Sequence, residues 1–330
     1  MMRTCTTGLR WPGWLAILLI AAGFAQTGDR PVSTYSIVAL DEKTGELGVA
    51  VQSHWFSVGQ LVPWAHAGVG AVATQSFVRV EYGPDGLALM AQGLRAQDAL
   101  ARLLKLDKER DVRQVAMVDV RGNVAAHTGK RCVAAAGHQT GKAYSVQANL
   151  MENATVWPAM AAAYENSTGD LADRMLAALE AAEAEGGDIR GRQSAAMLIV
   201  TGQPTGVDWK DVVLNLRVED HPDPLTELKR LIRIHRAYQH ANNGDLLLEK
   251  NDLDGALREY ARAAGLYPEN PELPYWSAIT LAASGRLDQA LPLFKQVFEA
   301  NPKLKLLTPR LTPAGLLPDD PAMLERIMEQ

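Results

Sequence analysis

Apolar and polar positions follow two different rhythms along the first two thirds of the chain. Residues 34–40 and 47–53 are short, mostly apolar runs separated by Asp41-Glu42-Lys43-Thr44-Gly45-Glu46, a polar stretch with a glycine near its end. This pattern predicts a β-hairpin. Strands that are apolar at nearly every position predict a sheet covered on both faces. Residues 69–77 and 112–119 predict further strands, and Arg121-Gly122-Asn123 predicts a tight turn into a strand at 124–127. Residues 87–92, 96–106, 157–164 and 171–184 instead place their apolar side chains at helical intervals. Helices follow strands in blocks, which predicts an α+β domain of stacked layers rather than a doubly wound parallel sheet.

The pattern changes after residues 209–218, read as the last strand of a first domain at 34–218, and after the link His221-Pro222-Asp223-Pro224. From there the chain is helical and repeats itself. Ala256, Tyr260 and Pro268 recur as Ala290, Phe294 and Pro302, each after 34 residues, which is the period of a tetratricopeptide unit. Asp254-Gly255-Ala256-Leu257 likewise aligns with Asp288-Gln289-Ala290-Leu291. The small alanine lets two helices approach, the aromatic residue fills the next layer, and the proline cannot continue a helix. Residues 219–302 are therefore read as tetratricopeptide-like repeats and 303–330 as a C-terminal tail. Two repeats bury little surface, so they are expected to pack on the first domain or on another copy of the chain.

The beginning of the chain reads as a leader. Arg3 and Arg10 precede the apolar run Trp14-Leu15-Ala16-Ile17-Leu18-Leu19-Ile20-Ala21-Ala22, and Gly23-Phe24-Ala25 places small residues before a cut at Gln26. A signal peptide at 1–25, with a short tail at 26–33, predicts an exported, periplasmic or extracellular protein. No later segment approaches the roughly 20 apolar residues of a membrane span, so no integral membrane domain is expected in the mature chain. Loss of the leader removes Cys5 and leaves Cys132 alone, which excludes an intramolecular disulfide. It also moves the formal charge from −5 to −7, which argues against nucleic acid as a partner. A hydrophobic content of 47% over about 300 mature residues is enough for one sizeable core and a second small domain.

The familiar catalytic templates are missing. There is no Gly-x-Ser-x-Gly elbow, no His-Glu-x-x-His helix, no phosphate-binding loop and no dinucleotide fingerprint in a strand-turn-helix setting. His54, His66, His127 and His138 lack metal-ligand spacing, and neither a metal nor a cofactor is expected. What remains are polar clusters at the ends of apolar runs: Gln52-Ser53-His54, Thr74-Gln75-Ser76, Glu81-Tyr82-Gly83-Pro84, Ala126-His127-Thr128-Gly129, Gln147-Ala148-Asn149 and 187–194. Each can serve as an ordinary turn or helix cap, and together they can surround a site.

Several of these stretches, with Thr34-Tyr35-Ser36-Ile37-Val38-Ala39, Val62-Pro63-Trp64-Ala65, Ala67-Gly68-Val69-Gly70 and Gly187-Asp188-Ile189-Arg190-Gly191-Arg192-Gln193-Ser194, resemble the bacterial family called domain of unknown function 1028 over residues 34–217. The resemblance implies a four-layer αββα sandwich like that of the N-terminal nucleophile hydrolases, in which the α-amine of an N-terminal Thr, Ser or Cys serves as base for its own side chain. On this basis Thr34 is the expected nucleophile, and Asn149 is a donor to the oxyanion. Asp188 and Arg190 hold the α-amine or a substrate carboxylate, and His54, Glu81, His127 and Gln193 are expected to contact substrate. A cut after Ala25 leaves Thr34 acylated, so activity requires a second cut at Ser33-Thr34.

Three readings follow. The first is an exported amidohydrolase acting on a small amide or peptide-like compound. The second is a non-catalytic module binding such a ligand in the sandwich cleft. The third is an envelope interaction protein that grips a protein partner through residues 224–302, alone or as a homo-oligomer.

Overall fold

The computed structural model describes residues 34–330. The expected signal peptide and the tail at 26–33 lie outside the described residues.

The hairpin forms as the pattern requires. Strands β1 (Thr34–Leu40) and β2 (Leu47–Ser53) pair antiparallel from Thr34↔Ser53 to Leu40↔Leu47. The Asp41 carboxylate accepts from the Lys43 N–H at 2.9 Å, the Gly45 N–H donates to the Asp41 carbonyl at 2.7 Å, and Gly45 takes the left-handed φ of 78° that closes the turn. Next come β3 (Pro63–His66), β4 (Gly70–Ser76), α1 (Tyr82–Ala91), α2 (Ala96–Leu106), β5 (Arg113–Asp119) and β6 (Val124–Thr128). The first domain is completed by β7 (Gly137–Gly141), β8 (Tyr144–Asn149), α3 (Val156–Asn166), α4 (Leu171–Ala184), β9 (Ser194–Val200) and β10 (Val212–Val218). Two antiparallel sheets result, one in the order β10-β9-β2-β1-β8-β7 and the other β3-β4-β5-β6.

Alternation along each strand determines what each face meets. Tyr35, Ile37 and Ala39 point away from the second sheet and pack with Met160, Tyr164, Leu171, Met175 and Leu179 of α3 and α4. Val38, Leu40, Val49 and Val51 point the other way and meet Ala71, Ala73, Ala116 and Val118 of the second sheet. The outer face of that second sheet, Val72, Val115 and Met117, is covered by Tyr82, Met90, Ala96 and Leu100 of α1 and α2. Helices therefore flank a pair of sheets on both sides. Gly83 is needed for this packing, because the Trp64 indole occupies the space where a Cβ would stand.

The helical region begins with α5 (Pro224–Glu249), capped by Asp223, and continues with α6 (Leu253–Leu266), α7 (Glu272–Ala283) and α8 (Leu287–Ala300). Ala256, Tyr260, Ala290 and Phe294 are all buried, as their recurrence predicts. Full burial of one Phe such as Phe294 contributes about 2–3 kcal/mol. Leu225, Leu228 and Ile232 of α5 pack in the core shared with the six-stranded sheet and α4, so the repeats do lean on the first domain. Residues 303–330, read from sequence as a tail, form α9 (Pro302–Leu307), a 3-10 turn and α10 (Pro321–Met328). Leu304, Leu311, Leu317, Met323 and Ile327 are buried there with Tyr275, Phe294 and Phe298, and so close the open end of the repeats.

Candidate site at the head of the first strand

One end of the space between the sheets is apolar and the other is built from amides and hydroxyls. On the facing surfaces Val38 and Leu40 give way to Ser36 and Thr34, Ala73 to Gln75, Ala116 to Gln114, and β8 contributes Ser145, Gln147 and Asn149. All seven polar side chains are fully buried. Burial without partners would cost each of them, and a hydrogen-bond lattice is the outcome.

Gln114 is the hub. Its Nε2 donates to the Gly137 carbonyl at 3.1 Å, the Ala148 carbonyl at 2.9 Å and Thr128 Oγ1 at 2.9 Å. Carbonyls only accept, so this end of the side chain must be the NH2. Its Oε1 consequently faces inward and accepts from Gln75 Nε2 at 2.7 Å and Asn149 Nδ2 at 2.9 Å. Gln75 Nε2 also reaches the Thr34 carbonyl at 3.1 Å, while its Oε1 accepts from Ser36 Oγ at 2.6 Å. Gln147 Nε2 donates to Ser36 Oγ at 2.6 Å, and Ser145 Oγ donates to Gln147 Oε1 at 2.9 Å.

Thr34 is at the edge of this lattice as the first residue of β1, paired in register with Ser53 on one side and Asn149 on the other. It is buried, and its hydroxyl donates to Ser53 Oγ at 3.2 Å. Asn149 stands beside it as expected, but in a different chemical role. Its Nδ2 is committed to Gln114 Oε1 and lies 3.5 Å from the Thr34 carbonyl, whereas Asn149 Oδ1 is buried with no hydrogen-bond partner. Asn149 offers the site an acceptor, not the oxyanion donor expected from sequence.

Asp188 and Arg190 also converge here. An isolated bridge joins Asp188 to Met151, just beyond β8. The Asp188 carboxylate, fully buried, receives Arg190 Nε at 3.1 Å and Nη2 at 2.8 Å in a two-pronged pair, and the His54 N–H at 3.0 Å. His54 directly follows Ser53, and its Nδ1 lies 3.3 Å from the Arg192 carbonyl. Gln193 sits on the same loop, where its Nε2 donates to Asp220 at 3.1 Å. The other two expected residues are elsewhere. Glu81 precedes α1 with a 63% exposed side chain and pairs loosely with Arg79 at 3.8 Å. His127 is on β6, where its Nε2 bonds the Arg110 carbonyl at 2.8 Å, and it points away from the lattice because β-strand neighbours alternate and Thr128 points in.

The sequence reading missed Gln114, Ser36 and Ser145, as well as a second cluster behind the first strand. There Tyr35 Oη donates to Glu183 at 2.5 Å and takes a hydrogen bond from the Gln52 amide, whose nitrogen also reaches Glu183 at 2.8 Å. Arg192 Nε closes the group on Glu183 at 2.5 Å. Burial, followed by the Glu183 charge, holds the Tyr35 hydroxyl well above its ordinary pKa, so it remains a donor. The overlooked signal is period-2 placement of uncharged polar residues within otherwise apolar strands.

Thr128 links the lattice to a cleft of about 450 Å³ at the edges of β6 and β7, lined by Lys130, Cys132, His138 and Trp157 among others. Thr128 Oγ1 lies 2.8 Å from His138 Nδ1. Burial, reinforced by nearby His127, lowers the His138 pKa and favours the neutral ring, while burial raises that of the Cys132 thiol. Among the described residues no group of three or more His, Cys, Asp or Glu is arranged to hold a metal ion.

The model of a family of unknown function (DUF1028) matches residues 34–228, and a tetratricopeptide-repeat model matches residues 247–307. Among solved structures, a Silicibacter pomeroyi protein carrying the same DUF1028 family model is 30% identical to this chain with a TM-score of 0.55, over 61% of this chain and 88% of that chain. No curated protein matches.

Proposed function

The chain belongs to the DUF1028 family, and from that premise we propose that it is an exported amidohydrolase of the N-terminal nucleophile type, acting on a small amide or peptide-like substrate. One observation carries this reading. Thr34 heads the strand at the middle of a doubly covered sheet, with its hydroxyl on Ser53 Oγ at the edge of the buried polar lattice between the sheets. The helix–sheet–sheet–helix order supports the αββα kinship, and the basic and apolar leader in the sequence supports export.

The chemistry requires cleavage of the Ser33-Thr34 peptide bond. The freed α-amine takes the hydroxyl proton as Thr34 Oγ1 bonds to the substrate carbonyl carbon, and the resulting ammonium returns a proton to the departing nitrogen. Water then releases the acyl group from Thr34. Asp188 and Arg190 brace the rim of this site as a two-pronged ion pair.

N-terminal sequencing of the protein as an exporting host delivers it is the first test, and amide hydrolysis by Thr34→Ala is the second. A Thr34 start, with turnover lost in the variant and its melting temperature unchanged, is the expected result. A stable start upstream of Thr34, or a variant as active as the parent, removes the nucleophile.

The full burial of Thr34 favours a second reading, a ligand-binding or envelope interaction protein without catalysis. The repeats offer such a protein a partner surface. A cleft of about 510 Å³ there is lined by Leu248, Leu273, Trp276, Ile279 and Leu316 with Asp245 at its wall, which suits an apolar peptide segment. Deleting the chain after Val218 abolishes partner capture under this reading while ligand binding by the sandwich survives.

A further inference from the structure

Asn149 Oδ1 is the polar atom around Thr34 that the lattice leaves unanswered. The residue is fully buried, and among the described residues this oxygen has no hydrogen-bond donor. An unmet buried acceptor costs about 1–3 kcal/mol, so natural sequences eliminate it unless it has a use. Rotating the amide does not relieve it. Gln114 is fixed by the carbonyls of Gly137 and Ala148, so its Oε1 faces Asn149 and demands the NH2 there. A flipped Asn149 sets two acceptors against each other. The oxygen is therefore an acceptor by construction.

Its position selects the donor. Thr34 and Asn149 are directly opposite across β1 and β8, and Gln75 of the facing sheet reaches from the space between the sheets to Thr34, while Gln114 reaches to Asn149. Side chains of opposed residues project to the same face with Cβ atoms about 4.5–5.5 Å apart. The Thr34 and Asn149 side chains therefore face the same space between the sheets, where Thr34 Oγ1 donates to Ser53 Oγ at 3.2 Å.

We infer that Asn149 determines substrate specificity by accepting a hydrogen bond from an N–H at or next to the scissile bond. This rests on the nucleophile reading of Thr34 and narrows it to primary or secondary amides, with esters and tertiary amides, which carry no N–H, disfavoured. In the reaction, the Thr34 Oγ1–carbon bond forms and the carbon–nitrogen bond breaks. The proton taken from Oγ1 by the α-amine passes to the departing nitrogen, and Asn149 Oδ1 holds that nitrogen's own hydrogen throughout. With an ester, the departing oxygen brings no hydrogen to that acceptor.

The test compares p-nitroacetanilide with p-nitrophenyl acetate, which share one acyl group and differ in the N–H, on the full-length secreted product. Release of p-nitroaniline or p-nitrophenolate is followed by absorbance, and the acetyl group on Thr34 by acid quench and peptide mass mapping. Asn149→Leu retains the shape, and Gln114 Oε1 still has Gln75 as a donor. The expected result is an anilide rate about tenfold lower in the variant, the worth of one hydrogen bond, with the ester rate unchanged. Should Asn149→Leu fail to fold, Asn149→Ala is measured in its place. An equal fall on both probes makes Asn149 an oxyanion donor and overturns the inference, as does an unchanged anilide rate or a parent silent toward the anilide while its Thr34 is acetylated by the ester. If neither probe acetylates Thr34, the nucleophile reading fails, and this inference fails with it.

Discussion

Gln114 is the side chain whose replacement most severely tests the amide lattice. Gln114→Leu preserves size and burial but removes every hydrogen bond of the hub. Gln75 Nε2 retains the Thr34 carbonyl at 3.1 Å, and Thr128 Oγ1 retains His138 at 2.8 Å, so these two are spared. Asn149 Nδ2 keeps only a 3.5 Å contact, and the Gly137 and Ala148 carbonyls lose a side-chain donor. At about 1–3 kcal/mol per stranded group, with one to two groups truly stranded and about 1–2 kcal/mol returned by burying leucine, the expected loss is about 2 kcal/mol. That is a large part of the about 5–15 kcal/mol that holds a typical domain. Urea unfolding of the full chain, followed by far-ultraviolet circular dichroism, gives the change from the midpoint at constant slope. Gln114→Glu adds a check of sign. A buried carboxylate facing carbonyls has its pKa raised, so the folded state binds the proton more tightly, and this variant is most stable in acid and loses stability as pH rises through that pKa. A leucine variant within about 0.5 kcal/mol of the parent would show that the lattice contributes nothing to holding the sheets together, and the argument for a fixed Asn149 would go with it.

Raised tyrosine pKa values predict alkaline sensitivity. Burial keeps Tyr35 protonated far above its ordinary value, and Tyr164 is pushed up to about 12, so the stability linked to both is complete below about pH 10 and is lost as pH rises beyond it. Absorbance at 295 nm should therefore show late tyrosinate formation coinciding with loss of circular dichroism; early, fully reversible ionisation of all tyrosines refutes this. Arg190→Ala strands the buried Asp188 carboxylate, which keeps two backbone donors, and because the guanidinium is 30% exposed the cost falls to about 2 kcal/mol, below the 3–5 of a fully buried pair; a melting temperature equal to that of the parent contradicts the pairing. Truncation after Pro302 bares Tyr275, Phe294 and Phe298, and is expected to raise binding of a hydrophobic dye and to promote aggregation, whereas a monodisperse truncated protein shows that 303–330 is dispensable.

What was legible in the sequence depended on whether a strand's inward face is apolar. β1, β2, α2 and α4 are found where periodicity places them, since most of their buried positions are hydrophobic and their turns carry Asp, Gly or Asn. β8 was invisible because its inward residues, Ser145, Gln147 and Asn149, alternate with Tyr144, Val146 and Ala148, and a polar inward face reads as solvent. The same substitution of amides for aliphatics that hid β8 builds the candidate site, so the strand hardest to read is one of the two that flank Thr34. β9 went unread for a different reason: its Ala195-Ala196-Met197-Leu198 run fits a helix as well as a strand, and its pairing with β2 and β10 settles the matter through contacts distant in sequence. Placing Glu81 and His127 in the site failed because nearness to a strand end says nothing about which face a residue occupies.

The repeats are not an appendage, and α5 is the reason. Its 26 residues span about 39 Å, and the two halves belong to different cores. Leu225, Leu228 and Ile232 are buried against the six-stranded sheet, while Ala237 packs with Ala263 and Leu273. Lys229 pairs with Glu180 at 2.9 Å, and Arg236 meets Asp170 at 2.7 Å and Asp173 at 2.9 Å, so polar contacts on α4 fix the rotation that the apolar stripe sets. Exposed pairs of this kind add little energy singly, and the apolar burial is what resists bending. At its other end α5 begins at Asp223, which lies 3.8 Å from Arg192, and Arg192 holds the Glu183 that holds Tyr35, the residue after Thr34. One continuous helix thus joins the repeats to the segment flanking the head of the first strand.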